Sequence, residues 1–147
     1  MKINDLKIQA ARKFHFCTGH RVFGHESKCA NMHGHNYILW VHVEANELDS
    51  LGRVIDFSVL KEKIDPWLQE MWDHTFLIFE QDDELKKIEP LIKKQKPWFL
   101  CPFNPTAENM AIYLMNTILP SLLMGTGIKV TQIELQETEK CKVILRR

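Results

Sequence analysis

His33-Gly34-His35 carries the clearest chemical signal in this chain of 147 residues. In an extended strand, residues two apart project to the same side, so both imidazoles can meet one ion; on a helix they would diverge. Zinc accepts neutral imidazole nitrogen at about 2.0–2.1 Å and tolerates the geometry its ligands offer. A third ligand would be His20, which continues the parity of Phe14 and Phe16 and so leaves a first strand on its buried face. A polar loop from Gly24 to Met32 could bring it beside the pair. Paired histidines also occur as surface or core residues with satisfied hydrogen bonds, and spacing alone does not separate the two. Of the seven histidines in the chain, five fall between His15 and His35, a concentration of imidazoles in one short stretch.

Cys29 stands four residues before His33, and its type leaves three roles open: a fourth zinc ligand, a reactive thiolate, or an inert loop thiol. Three histidines plus a cysteine would close a structural site, whereas three histidines alone leave a position for water or substrate. A nearby metal or protonated histidine would lower the thiol pKa and make a usable base. Asp73-His74 are adjacent, so on a helix or strand they would not face each other; only a turn would make them a hydrogen-bonded dyad. A histidine interacting with a helix C-terminus accounts for the dipeptide equally well. Glu137 keeps the parity of Ile133 and Leu135, so its carboxylate sits on an apolar face and must be paired, protonated, or at a strand end reaching solvent. Glu108, in a first helical turn, is largely explained by the helix dipole.

The elements that must position these groups follow from periodicity. Ile8, Ala10, Phe14 and Phe16 alternate with polar residues and predict a strand over Ile8–Phe16. Tyr37–Ala45 predicts a second, with Tyr37, Leu39, Val41 and Val43 on one face and Ile38 and Trp40 on the other, so that both faces look partly covered. Asp56 and Ser58 can cap a helix whose stripe is Leu60, Ile64, Leu68 and Met71. Asp82-Asp83 opens a charged helix reaching Lys96, against which Pro90 argues. Thr106 caps a helix carrying Met110, Ala111, Leu114 and Ile118 and stopped by Pro120. A strand through Ile133, Leu135 and Glu137 follows Gly125 and Gly127, and Cys141–Leu145 is the last. Two strands, helices, then two strands predict an α+β fold with antiparallel pairs.

Composition sets the remaining bounds. A domain of this length buries roughly 68–70% of its unfolded surface and folds without staples. Lys plus Arg and Asp plus Glu are 19 each, a formal net charge of zero, which lacks the footprint of a nucleic-acid or anionic-membrane binder. The longest apolar stretch, Ile118 to Met124, is too short to span a bilayer, and the first residues lack the apolar core of a signal peptide. Cys17, Cys29, Cys101 and Cys141 show no paired spacing and read as reduced thiols of a cytoplasmic protein.

Taken together, six blocks resemble the 6-pyruvoyl-tetrahydropterin synthase / 6-carboxytetrahydropterin synthase family. They are Phe16-Cys17-Thr18-Gly19-His20-Arg21, Cys29 to Tyr37, Val54 to Lys61, Asp73-His74-Thr75-Phe76-Leu77, Pro105-Thr106-Ala107-Glu108-Asn109, and Glu137-Thr138. They run in the family's order over nearly the whole chain. The resemblance implies His20, His33 and His35 as zinc ligands and Cys29 as catalytic base. It implies His74 as a relay histidine oriented by Asp73, and Glu137 as the residue that grips the pterin and couples to the relay; Thr106 and Glu108 would line the pterin pocket. It further implies the tunnelling fold: a four-stranded antiparallel sheet with helices on one face, in the order ββααββ. Such subunits pool their sheets into a barrel, as trimers or hexamers with active sites at subunit interfaces.

The implied activity starts from 7,8-dihydroneopterin triphosphate, a pterin triphosphate, by elimination of triphosphate. One branch keeps a pyruvoyl side chain; the other releases acetaldehyde and leaves 6-carboxy-5,6,7,8-tetrahydropterin for queuosine and 7-deazapurine biosynthesis. The short gap from Cys29 to His33 and Ile55-Asp56-Phe57 after Gly52 resemble the carboxy branch. Two features depart from the family's shorter members: the segment from Phe79 to Asn104, an insertion within a single domain spanning 1–147, and Ile78, where many relatives carry asparagine. Two other classes fit parts of the same pattern: a zinc hydrolase with Glu108 or Glu137 as base, which gives Cys29 no role, and a non-enzymatic protein with a closed zinc site.

Overall fold

The computed structural model describes residues 7–92 and 98–147. Strand β1 (Ala10–His20) pairs antiparallel with β2 (His33–Ala45), in a register running from Ala10 opposite Val43 to His20 opposite His33. Strand β5 (Ile128–Gln136) lies antiparallel on the other side of β2, with a bulge at His42/Val43, and β6 (Lys142–Arg146) closes that edge. These are the four antiparallel strands expected. Two short strands extend the sheet beyond β1: β3 (Thr75–Phe79), parallel to it, and β4 (Trp98–Cys101), parallel to β3. The sheet is therefore mixed and six-stranded, in the order β4-β3-β1-β2-β5-β6.

β3 follows directly on Asp73-His74, whereas β4 lies within the Phe79–Asn104 segment. Thr75–Phe79 is an apolar run with Leu77 and Ile78 fully buried. Helix α2 (Asp83–Ile92) carries the chain over to β4, the crossover that parallel strands require. Asp82 caps α2 by accepting from Leu85 N–H at 3.1 Å. Pro90 lies inside this helix, and the expected continuation to Lys96 falls outside the described residues.

Helices α1 (Phe57–Trp67), α3 (Ala107–Tyr113) and α4 (Leu119–Leu122) contribute to the single core, which lies on one face of the sheet. Asp56 caps α1 through Ser58 N–H, and Thr106 caps α3 through Asn109 N–H at 3.2 Å. The alternating residues Phe14, Phe16, Tyr37, Leu39, Val41, Ile133 and Leu135 meet Leu60, Ile64, Met110 and Leu114. Phe16 stacks on Tyr37 with centroids 5.2 Å apart. Each such side chain contributes about 1.5–3 kcal/mol by leaving water. On the opposite face Trp40 and Ile144 are exposed while Ile38 and His42 are half-buried, so among the described residues that side of β2 is only partly covered.

Both long helices widen before they end. After α1 comes a wide turn over Leu68–Trp72, closed by Asp73 N–H bonding to Leu68 C=O at 2.8 Å, five residues back. Residues spaced by four drift roughly 40° per step around an α-helix, and the wider turn cancels that drift. Trp72 is thereby buried with Leu60, Ile64 and Leu68, while Met71, expected in that stripe, is exposed. A second wide turn over Leu114–Ile118 leads into α4, so the helical run passes Pro120 and ends at Leu122 rather than stopping at the proline.

Candidate active site at the end of the sheet

The last pair of the β1/β2 ladder is His20 opposite His33. His20, His33 and His35 gather there, with one ligand nitrogen from each lying within 4.8 Å of the others. Their parity matches Phe16 on β1 and Tyr37 on β2, so they lie on the core-side face, His20 buried and His33 and His35 half-buried. Gly34 allows this closeness. A Cβ on it would stand 3.1 Å from Thr18 C=O on β1, tight against backbone that cannot yield without parting the strands.

The ring orientations are fixed from behind. His20 Nδ1 lies 2.6 Å from Pro105 C=O and His33 Nδ1 lies 2.7 Å from Asn31 C=O. Each therefore donates a proton from Nδ1, which leaves the Nε2 lone pairs facing each other at 3.1 Å. Two lone pairs at that distance repel unless a cation lies between them. Nitrogens about 2.0–2.1 Å from a tetrahedral ion stand roughly 3.3–3.4 Å apart, close to what is found. Burial lowers the pKa of His20, and of His35 likewise, which keeps both in the neutral state a metal needs. Backbone carbonyls behind ligating imidazoles are the usual outer support of a metal site. The donor set suits zinc, and Cys29 stands outside it.

Glu137 follows β5 by one residue and reaches the histidines. Its Oε1 accepts from Tyr37 O–H at 3.1 Å and lies 3.6 Å from His20 Nε2 and 3.7 Å from His35 Nε2. The carboxylate on an apolar face is thus paired and partly open to solvent. Tyr37 is the residue that sequence reasoning missed. It reads there as a core strand position, yet the parity that joins His33 to His35 places it next on the same face. Burial, with the Glu137 charge beside it, pushes its phenol pKa upward, so it remains a donor.

Two clefts flank the histidines. One, of about 350 Å³, is lined by Val22, His25, Cys29, Thr106, Glu108 and Glu137. The other, of about 320 Å³, is lined by Cys17, Gly34, His35, Asn36 and His74. Cys29 sits on a short helical turn (Lys28–Ala30) of the β1–β2 loop, its carbonyl accepting from Val22 N–H at 2.8 Å. Thus Cys29, Thr106, Glu108 and Glu137 share one cleft, whereas His74 opens on the other. His35 and Glu137 join the two.

Asp73 and His74 do lie on a turn. His74 takes a left-handed backbone (φ 55°), uncommon for a residue with a side chain and found where the surroundings enforce it. Its N–H bonds to Cys17 C=O at 2.7 Å, while Cys17 N–H bonds to Asp73 Oδ1 at 2.7 Å. The dipeptide is docked on the edge of β1, where Asp73 Oδ2 holds His74 Nδ1 at 2.6 Å. Burial works to raise the Asp73 pKa, but the Cys17 amide and His74 outweigh it and hold the carboxyl below its usual range. The rest of the imidazole faces solvent.

A family model described as 6-pyruvoyl tetrahydropterin synthase matches residues 9–147. Among curated proteins, the 6-carboxy-5,6,7,8-tetrahydropterin synthase of Rickettsia felis is 38% identical over 92% of this chain and 98% of its own. The protein of that name from Haemophilus influenzae is 31% identical over 89% and 93%. Among solved structures, an uncharacterized protein from Wolinella succinogenes superposes with a TM-score of 0.85 at 25% identity, covering 97% of this chain and 99% of that one. The 6-pyruvoyl tetrahydropterin synthase of Caenorhabditis elegans shares the fold, at TM-score 0.66 and 23% identity over 95% of each chain. Matched by the family model over residues 9–147 and by curated relatives over nearly its full length, the chain belongs to the 6-pyruvoyl tetrahydropterin synthase family.

Proposed function

We propose that the chain is a zinc-dependent lyase of the carboxy branch. It converts 7,8-dihydroneopterin triphosphate to 6-carboxy-5,6,7,8-tetrahydropterin, with release of acetaldehyde and triphosphate, in queuosine and 7-deazapurine biosynthesis. The observation that carries this reading is the three-histidine cluster with Glu137 against it and Cys29 lining the same cleft as Glu137. The name borne by relatives at 38–40% identity favours the carboxy product over the pyruvoyl one.

His20, His33 and His35 would hold the zinc, which when bound would supply Lewis acidity toward the oxygens of the substrate side chain and so acidify the adjacent C–H bonds. Glu137, kept in place by Tyr37, accepts N–H groups of the pterin ring and fixes the side chain toward the histidines. Thr106 and Glu108 border the same pocket. Cys29 removes a proton as general base. Asp73 fixes the Nδ1–H tautomer of His74 and leaves Nε2 to carry a proton to or from substrate. Because Cys29 and His74 open on different clefts of one chain, a complete site is supplied by a homo-oligomer, a trimer or hexamer whose subunit interfaces join the two. The enzyme works in the cytoplasm.

The test is product analysis of zinc-loaded protein with 7,8-dihydroneopterin triphosphate. Acetaldehyde together with a carboxylated pterin is expected. Triphosphate release without acetaldehyde would move the chain to the pyruvoyl branch, and no turnover would overturn the enzymatic reading.

A further inference from the structure

We infer that the inserted segment between Phe79 and Asn104 positions the catalytic cysteine, by clamping the β1–β2 loop on both sides of the residue that holds Cys29. This deepens the proposed function and rests on Cys29 being its base. The residue in question is Val22, whose N–H donates to Cys29 C=O at 2.8 Å and so ties the two limbs of the loop together. Its neighbours on either side are both gripped from the insertion.

On one side, Arg21 makes a two-pronged bond with Asp82, Nε to Oδ2 and Nη2 to Oδ1, each at 2.6 Å, and its Nη2 also donates to Glu84 Oε2 at 2.9 Å. Asp82 is buried, 1% exposed, and is itself fixed as the cap of α2. Paired Arg–carboxylate forks of this kind set geometry as well as charge. On the other side, Asn104 behaves like a one-residue strand toward Phe23. Its Oδ1 accepts from Phe23 N–H at 2.9 Å and its Nδ2 donates to Phe23 C=O at 2.8 Å. Phe79 adds an aromatic contact to the Phe23 ring, with centroids 6.2 Å apart.

The clamp continues into the zinc site. Asn104 C=O accepts from Thr106 N–H at 2.8 Å and from Asn109 Nδ2 at 3.0 Å, which anchors it to the start of α3. The next residue, Pro105, supplies the carbonyl behind His20. One short stretch thus orients the His20 ring through Pro105 and the Cys29 loop through Asn104. Without the grip on Arg21 and Phe23, the loop would keep its internal hydrogen bonds but lose its fixed distance to the histidines. Displacements of this order are costly in general acid–base steps.

The experiment compares Asn104→Ala and Asp82→Asn with the parent, each also built in a Cys29→Ala background. In the intact background we expect kcat to fall roughly three- to tenfold for Asn104→Ala, the loss of hydrogen bonds between neutral groups. KM and zinc content should stay within about twofold, and amide exchange of Val22 should accelerate by a similar factor. In the Cys29→Ala background the same substitution should leave the residual rate unchanged, since the group it positions is gone. Unaltered kcat in a folded Asn104→Ala protein, or an equal fall in both backgrounds, would overturn the clamp. Full activity of Cys29→Ala alone would instead overturn the base assignment, so the two failures are distinct. Should Asp82→Asn or Asn104→Ala fail to fold, Asn104→Asp keeps the acceptor to Phe23 N–H but sets a carboxylate oxygen against Phe23 C=O, and carries the same expectation at the upper end of the range.

Discussion

Tyr37→Phe removes the hydroxyl that bonds to Glu137 and lies 3.4 Å from His20 Nε2. The phenol ring is fully buried, stacks on Phe16 at 5.2 Å and presents its hydroxyl to Glu137 Oε1 at 3.1 Å. Phenylalanine retains the ring, leaves no cavity of consequence and removes a buried polar group. A hydrogen bond to a charged partner is worth about 1.5–3 kcal/mol. Glu137 is 27% exposed, so water can replace the lost donor in part, which sets the expected loss near the lower bound, about 1–1.5 kcal/mol. That is roughly five- to tenfold in kcat/KM, taken chiefly through KM if Glu137 holds the pterin ring. Stability should change by less than about 1 kcal/mol, or about 2–4 °C in Tm for a domain of this size. Steady-state kinetics, zinc content and a melting curve on the same preparation check all three. Unchanged KM, or zinc lost in proportion to activity, would refute the idea that Tyr37 serves the pterin contact through Glu137.

Cys29→Ala should keep zinc and fold while losing turnover by at least about 10²-fold; equal loss of metal would make Cys29 a ligand instead. Gly34→Ala should weaken zinc binding more than it lowers Tm, because the added Cβ, 3.1 Å from Thr18 C=O, parts β1 from β2 where His20 faces His33; isothermal titration with zinc and a melting curve separate the two effects. Asp73→Asn should lower kcat by about 10²-fold and also cost stability. Since the Asp73 pKa is held below its unfolded value, its contribution is fully present above about pH 4 and is lost as pH falls through the lower folded value. Urea melts of both proteins should therefore differ by a constant amount from pH 7 to about pH 5 and converge in stronger acid; a difference that instead vanished as pH rose would contradict the assignment.

Strand parity made much of this architecture legible. It placed Phe14, Phe16 and His20 on one face of the first strand, set His33 beside His35, and set Tyr37 with Leu39 on one face of a strand begun at Tyr37; the structure starts β2 at His33 and so joins the last two sets. Glu137 was found the same way, as the polar member of an apolar series. What parity could not reach depends on contacts between distant segments. The carbonyls of Asn31 and Pro105 behind the imidazoles carry no side-chain signature. β3 and β4 are short parallel strands whose pairing is decided by the crossover through α2, and so the six-stranded order was not visible. The Asp73–His74 pairing required a left-handed backbone at a non-glycine residue, which local sequence argues against and the bonds to Cys17 enforce. Met71 was assigned to the buried stripe because α-helical spacing was carried past Leu68, where the helix changes pitch.

That change of pitch bears on how relatives of different length should be matched to this chain. The turn from Leu68 to Trp72 holds one residue in reserve: Leu68 C=O already accepts from Asp73 N–H, five positions on. Deleting Gln69 or Glu70 would let the same two groups bond four positions apart, as in an ordinary α-helix, with Leu68, Trp72 and Asp73 left close to where they stand. A one-residue gap here is thus a spacer difference and no sign of a missing dyad. A gap at Asp73 or His74, between Trp72 and Thr75, would remove the dyad itself.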